Sequence, residues 1–270
     1  MPISLQDKVV LITGASSGFG ADAARLFARK GSIVFLAARR MDRLGELAEE
    51  INGAGGRAYP IQLDVTVLPQ IEQAVQTVIN KVGRIDILIN NAGVGRFNWF
   101  EKLHPAADID MQIDVNLRGA MHVTRAVLPS MLAHRSGHII NVSSVAGLIP
   151  APTYSVYAAT KYGIRGFSSA LRREVTSMGI HVSSLYPGPA STEFGLQTGD
   201  NPFKKNFRVP RWINLSSEYI ARRIVGVARH PRRALVIPWW FSLLVAIDTL
   251  FPGLVDWLVN AVFVKRFHQN

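Results

Sequence analysis

Between Lys8 and Ile237 the chain repeats one alternation, a short run of β-branched and aliphatic residues followed by a longer stretch of helical period. The runs are Val9–Ile12, Ile33–Leu36, Ala58–Leu63, Ile85–Ile89, His138–Val142, His181–Leu185 and Ala234–Ile237. The stretches between them include Ala21–Lys30, Arg43–Asn52, Gln70–Val82, Ala107–Ala133, Ala158–Met178 and Ser217–Arg229. A parallel strand pair cannot be closed by a tight turn and needs a crossover, usually a helix. Its strands, covered on both faces, read as unbroken apolar runs. The pattern therefore predicts an α/β fold with one doubly wound, parallel, seven-stranded sheet carrying helices on both faces. No repeat or linker interrupts it before residue 190, so residues 1–270 read as a single domain, and 48% hydrophobic content over 270 residues supplies its core.

The first strand runs into Thr13-Gly14-Ala15-Ser16-Ser17-Gly18-Phe19-Gly20, and a helix former follows at Ala21. Glycines 14, 18 and 20 permit a tight turn and a close backbone approach to a pyrophosphate. The next helix offers free N–H groups and the positive end of its dipole. The spacing is G-x-x-x-G-x-G rather than G-x-G-x-x-G, so placement after the first strand carries the reading. An acid at the end of the second strand would select NAD by bonding the ribose hydroxyls. Here Ala37-Ala38-Arg39-Arg40 stands instead. Arg39, with Arg40 beside it, offers a planar fork to a 2′-phosphate, which predicts NADP(H). Asp64 and Val65 close the third strand, and Asn90-Asn91-Ala92-Gly93 close the fourth, at the edge where ligands of open α/β sheets lie. Asp64 reads equally as the cap of a turn at Thr66.

Tyr157-Ala158-Ala159-Thr160-Lys161 opens a helical stretch, and Ser144 ends the strand before it. Spacing i, i+4 puts phenol and amine on one helix face, where an ammonium favours the phenolate form. Tyr157 is expected to donate the proton to a carbonyl, Lys161 to acidify it, and Ser144 to orient the carbonyl oxygen, with Ser143 as the neighbouring candidate. Asn116 stands inside a helical stretch where Asn is a poor helix former, which points to a backbone or water contact.

Together these residues resemble the short-chain dehydrogenase/reductase family, which carries T-G-x-x-x-G-x-G, N-N-A-G, an S…Y-x-x-x-K set and a P-G turn. The resemblance spans about residues 7 to 195. It implies a Rossmann-type fold and a catalytic tetrad of Asn116, Ser144, Tyr157 and Lys161, with Lys161 also on the nicotinamide ribose. It further implies a turn at Pro187, Gly188 and Thr192 that holds the carboxamide. The cofactor set on this reading is Gly14, Ser16, Ser17, Gly18, Phe19, Gly20, Arg39, Arg40, Asp64, Val65, Asn91, Ala92 and Gly93, with Tyr157, Lys161, Pro187, Gly188 and Thr192, and no metal. Homodimers or homotetramers built through 107–133 and 157–178 are what the resemblance implies for assembly.

Residues 190–215 read as a substrate lid, and Phe194, Phe203, Phe207 and Trp212, with Tyr154 opposite, favour a small hydrophobic carbonyl or alcohol substrate. Residues 234–270 form an apolar extension. Asp248, Pro252-Gly253 and Asp256 interrupt it, which argues against a spanning helix. From Asp200 onward eleven Lys and Arg face four Asp and Glu, out of a net charge of +11. Arg222, Arg223, Arg229, Arg232 and Arg233 precede Trp239-Trp240-Phe241 and fit a peripheral membrane contact. Burial against a second subunit or over the substrate entrance is the competing explanation. An Arg-type NADP site joined to an apolar C-terminus is also similar to 11β-hydroxysteroid dehydrogenase-like reductases. The basic residues lack a nucleic-acid-binding motif, so no nucleic acid is expected. The absence of cysteine excludes thiol chemistry and Cys-ligated metals, and with no secretory layout at the N-terminus it predicts a cytoplasmic protein, at a membrane surface if the extension docks there. The expected activity is NADP(H)-dependent interconversion of a ketone or aldehyde and an alcohol. The alternative is a catalytically idle NADP(H)-binding regulatory or membrane-docking protein of the same fold.

Overall fold

The structure is a computed structural model that describes residues 2–196, 198–199, 202 and 214–265. Seven parallel strands, β1 (Val9–Thr13), β2 (Ile33–Ala38), β3 (Arg57–Gln62), β4 (Ile87–Asn90), β5 (Gly137–Val142), β6 (Ile180–Pro187) and β9 (Ala234–Ile237), form one sheet in the order β3-β2-β1-β4-β5-β6-β9. A small parallel pair, β7 (Ala190–Ser191) with β8 (Leu215–Ser216), stands apart from it and was not expected from the residue pattern. The order reverses direction between β1 and β4, so the crevice at their carboxyl ends lies at the topological switch point.

Helices α1 (Gly18–Arg29), α2 (Met41–Gly53), α3 (Leu68–Val82), α4 (105–133), α5 (Ser155–Val175) and α6 (Ser217–Arg229) cover the sheet. Two apolar cores result. Leu36, Ile89 and Ile140 on one face pack with Phe27, Leu44 and Ile224 from α1, α2 and α6. Leu11, Leu88 and Ile139 on the other meet Val78, Val127, Met131 and Leu171 from α3, α4 and α5. Strands buried on both faces explain the unbroken apolar runs.

The fourth strand begins two residues later than the apolar run predicts. Asp86 instead accepts the Val9 N–H at 2.9 Å and pairs with Lys8 and Arg84, so it anchors the start of β1. Helix α4 is one continuous stretch with two wide π-type turns, Pro105–Asp110 and Asp114–Gly119. Beneath the switch point Asn90 donates to Thr124 Oγ1 at 2.9 Å and to Asn141 Oδ1 at 2.8 Å, and Asn141 donates to Ser168 Oγ at 2.8 Å. Asn90 is thus a structural member of a buried network rather than a ligand-facing residue.

After β9 the apolar extension folds as α7 (Phe241–Leu250) and α8 (Pro252–Val259), the latter continued by a wide turn at Asn260–Val264. The two are bent by 108° across the break, and among the described residues no single helix is long and apolar enough to cross a membrane. Arg229, Arg232 and Arg233 do not flank this pair, contrary to what their place in the sequence predicts. They sit before β9, at the amino-terminal edge of the sheet. Ile237 pairs with Pro187 at the carboxyl edge, from which α7 departs.

Candidate active site

The glycine turn is closed too tightly for side chains. Gly14 has φ +65°, and a Cβ there would stand 2.8 Å from Ala92 Cα. A Cβ on Gly20 would stand 2.5 Å from the Gly14 carbonyl oxygen and 2.7 Å from Asn91 Nδ2. Gly18, at φ +55°, faces Thr192. Thr13 ties the turn to the end of β4, because its hydroxyl accepts the N–H groups of Asn91 and Ala92 at 3.1 Å each. Asn91 in turn donates to the Thr13 and Gly14 carbonyls at 3.0 and 3.1 Å. Phe19 turns inward and packs on the core, which leaves the backbone of the turn facing the crevice.

The two arginines after β2 diverge. Arg39 is two-thirds exposed, 4.0 Å from Asp64 Oδ2. The other oxygen of Asp64 accepts from the Thr66 N–H and hydroxyl at 2.9 and 2.8 Å, the turn cap that its sequence context also allowed. Val65 is buried against Gly119. Arg40, the weaker candidate of the pair by position, lies against the cradle. It donates to Ser16 Oγ at 3.2 and 2.9 Å and to Ser17 Oγ at 3.0 Å. Arg43, on the first turn of α2, approaches the same place through Glu193. Sequence reasoning missed Arg43 because it reads as an ordinary charge on a helix surface.

On the other side of the crevice, Tyr157 and Lys161 stand on adjoining turns of α5, both buried, with the amine 5.5 Å from the phenol ring centroid. Lys161 Nζ donates to the Val142 carbonyl at 3.2 Å. Ser143 and Ser144 separate by role. The Ser143 hydroxyl donates to the Lys161 carbonyl at 3.1 Å, whereas the Ser144 hydroxyl accepts the Ala146 N–H at 3.1 Å and stands close enough to the Tyr157 phenol to favour its ionised form. Asn116 lies in the second wide turn of α4, where the i→i+5 geometry frees its amide to clamp the chain after β4. It accepts the Val94 N–H and donates to the Val94 carbonyl, both at 2.8 Å. A Cβ on Gly93 would stand 3.3 Å from Asn116 Oδ1 and 3.7 Å from Lys161 Nζ, so this glycine brings the chain close to both groups.

The electrostatics differ from the simplest expectation. Burial is the largest influence on the Tyr157 phenol and raises it above its ordinary value. The Ser144 hydroxyl lowers it, and Tyr154 raises it. Burial also depresses the Lys161 amine, to about 8. The protein groups therefore hold a neutral phenol beside an amine that is still protonated at neutral pH.

Aromatic rings close over the phenol. Phe97 stacks on Tyr154 with centroids 3.9 Å apart, and the rings of Phe97 and Phe194 lie 5.3 and 5.7 Å from that of Tyr157. Phe194 and Tyr154 are thus where the lid reading expects them. Phe97 sits in an irregular loop with no periodic signal to single it out. Phe203, Phe207 and Trp212 lie outside the described residues. Behind the turn at Pro187, Gly188 donates to the Ile237 carbonyl at 2.7 Å, and a Cβ on it would meet the Phe241 ring at 2.9 Å. The apolar hairpin accordingly begins at this turn, and its far end returns to the crevice where Phe263 meets Trp99 at 6.3 Å.

A profile of short chain dehydrogenases matches residues 8–202, which takes in the glycine turn, Asn116, Ser144, Tyr157 and Lys161. The chain belongs to this family. As a short-chain dehydrogenase it is an oxidoreductase that works with a nicotinamide cofactor. It is 36% identical over 236 residues to an uncharacterized oxidoreductase of Staphylococcus saprophyticus, covering 86% of this chain and 94% of that one. It is 40% identical over 184 residues to the 3-oxoacyl-[acyl-carrier-protein] reductase of Thermotoga maritima, covering 68% and 74%. Among solved structures, an alcohol dehydrogenase of Thermococcus sibiricus complexed with 5-hydroxy-NADP superposes with a TM-score of 0.75 at 28% identity, covering 86% of this dehydrogenase and 95% of that chain. A 3-ketoacyl-(acyl-carrier-protein) reductase of Brucella melitensis complexed with NADH gives 0.78 at 30%, covering 87% and 98%. The residues present fit such a dinucleotide, with a turn that has no room for Cβ atoms, three polar side chains at its mouth and a phenol–amine pair at its other end.

Proposed function

We propose that the protein is an NADP(H)-dependent reductase of small hydrophobic ketones or aldehydes, working reversibly with the alcohols. The observation that carries the reading is the buried, neutral Tyr157 phenol with Ser144 beside it, one helical turn from Lys161 and ringed by Phe97, Tyr154 and Phe194. The bound cofactor supplies the hydride in reduction and accepts it in oxidation. Ser144 and Tyr157 hydrogen-bond the carbonyl oxygen, and the phenolic proton passes to that oxygen as negative charge develops. A phenol kept neutral by burial is suited to this direction, because an alkoxide is a stronger base than a phenolate. Lys161, 5.5 Å from the ring, supplies positive charge beside the phenolate left behind. Asn116 fixes the Gly93–Val94 backbone, which would help to hold the reacting end of the cofactor. Arg39 and Arg40 in place of an acid after β2 support NADP(H) over NAD(H). Tyr157→Phe should lower turnover of a ketone at least about 100-fold, the lower end of what a positioned acid supplies, while calorimetric NADPH affinity stays within twofold. Substantial residual turnover refutes the proton-donor role. NADPH binding without oxidation across steroid, acyl and aromatic ketones favours the idle alternative.

The hairpin supports a lipid-borne substrate. No residue of α7 or α8 is buried, and Trp239, Leu250, Leu254 and Trp257 are more than half exposed. An exposed apolar surface with tryptophans on it suits the interface of a bilayer. With the arginines of 229–233 at the opposite edge, binding should rest on apolar insertion. The protein should float with phosphatidylcholine vesicles at high salt as well as low, and Trp257→Glu with Leu250→Glu should abolish flotation. Failure to float, or a variant that loses dimerisation instead, refutes the lipid contact.

A further inference from the structure

Glu193 directly follows Thr192, the residue that faces Gly18, and its carboxylate turns back onto the nucleotide side of the crevice. Oε2 accepts from Arg40 Nη1 at 3.1 Å, and Oε1 accepts from Arg43 Nη1 at 2.6 Å. The remaining nitrogens of Arg40 are bonded to the Ser16 and Ser17 hydroxyls of the glycine turn. An internal anion thus stands at the mouth of the cradle, shared between two guanidinium groups in the geometry that such groups also use for phosphate. The next residue, Phe194, reaches the other half of the site. Its ring is 5.7 Å from that of Tyr157 and 6.2 Å from that of Phe97, and a Cβ on Gly95 would meet it at 2.7 Å. One short helical turn, Glu193–Leu196, therefore touches the phosphate side with its first residue and covers the catalytic phenol with its second.

We propose that Glu193 is a built-in competitor for the 2′-phosphate of the cofactor, and that its displacement carries Phe194 off Tyr157. This rests on the NADP(H) reading above. In the resting arrangement the carboxylate neutralises Arg40 and Arg43 and the ring shields the phenol. A phosphate monoester brings about two negative charges against the single charge of a carboxylate. The carboxylate is 39% exposed, so its ion pairs are weak enough to be displaced. Arginine binding by the phosphate and access of a carbonyl to Tyr157 then become one event, and an unphosphorylated dinucleotide does not trigger it. Arg43 is thereby assigned as a second phosphate-binding side chain.

The test uses 2′,5′-ADP and 5′-AMP, which differ only in the 2′-phosphate, with calorimetric affinities and amide hydrogen exchange of residues 193–196. Glu193→Gln should tighten 2′,5′-ADP by roughly 3- to 10-fold, the range of one or two exposed ion pairs, and leave 5′-AMP unchanged. In the unaltered protein 2′,5′-ADP, and not 5′-AMP, should speed exchange at 193–196, and in Glu193→Gln exchange should be fast without ligand. Arg43→Ala should weaken 2′,5′-ADP alone. If the unaltered protein prefers 2′,5′-ADP but Glu193→Gln binds it equally or more weakly, or exchange does not respond, the competitor role is overturned while the NADP(H) reading stands. Equal affinity for the two nucleotides in the unaltered protein overturns both.

Discussion

Replacing Lys161 with methionine should make the protein more stable and inactive. The amine is buried, and burial lowers it from 10.5 to about 8. At about 1.4 kcal/mol per pKa unit, this corresponds to about 3 kcal/mol of folding free energy lost by holding the charged form at neutral pH. Its hydrogen bond to the Val142 carbonyl offsets about 1 kcal/mol of that. Methionine has similar length, no charge to desolvate and a flexible stem that fills the space beside Gly93 and Asn116. The net gain should be about 2 kcal/mol, which at about 2–4 °C per kcal/mol is a rise in Tm of about 4–8 °C. The pH dependence identifies the cause. Between pH 8 and 10.5 the unfolded chain holds the lysine proton and the folded one releases it, so the native protein gains stability as pH rises through that window. The advantage of Lys161→Met should be full below pH 8 and gone near pH 10.5. Differential scanning calorimetry at pH 7, 9 and 10.5 reads this directly. A Tm equal to or below that of the native protein at pH 7, or a difference that does not shrink with pH, refutes the argument that the site pays for its buried ammonium.

Asn116→Ala leaves the Val94 N–H and carbonyl without partners, at about 1–3 kcal/mol each. Chemical denaturation should show a loss of about 3 kcal/mol together with weaker cofactor binding, and a stability change below about 1 kcal/mol would show that the clamp is replaced by water. His138 is held neutral, its pKa lowered to about 3 by burial and then by His181, while in the unfolded chain it protonates near 6.5. Stability is therefore lost as pH falls below 6.5, by about 2 kcal/mol at pH 5. Urea midpoints of native protein and His138→Gln should converge by that amount between pH 7 and 5, and parallel curves would contradict the assignment.

The sheet was legible because parallel strands buried on both faces must be unbroken apolar runs, and each run from Val9–Ile12 to Ala234–Ile237 lies in or beside a strand of the sheet. The phenol–amine pair was legible because helical spacing alone puts Tyr157 and Lys161 on one face. The odd placement of Asn116 in a helix anticipated its contact with the Val94 backbone. What escaped depends on long-range geometry. Glu193 meets Arg43 across 150 residues of sequence, Phe97 enters the site from an aperiodic loop, and β9 carries Arg229–Arg233 to the edge opposite the hairpin that follows them. For Tyr157 and Lys161, spacing sets proximity but does not show burial. Burial acts on both groups, toward the neutral form of each.

These opposed shifts define how the pair can work. A phenol that resists ionisation and an amine that yields its proton near pH 8 leave one mobile proton more than a tyrosinate–ammonium pair would hold, and that proton sits on the side of the site where a reduced carbonyl develops charge. On the function proposed above, the arrangement would favour donation over abstraction, hence reduction near neutrality, and oxidation where the amine is deprotonated. The rate of alcohol oxidation should accordingly rise with pH through about 8 while ketone reduction falls. The scaffold has to keep both groups dry for this to hold, and it does so with the stacked rings of Phe97 and Tyr154 above them and the Asn90–Asn141–Ser168 network below. Water admitted by opening that ring cluster, as in Phe97→Ala, should move both limbs of the profile toward the ordinary lysine range, and limbs that stay at about 8 would show that something other than burial sets them.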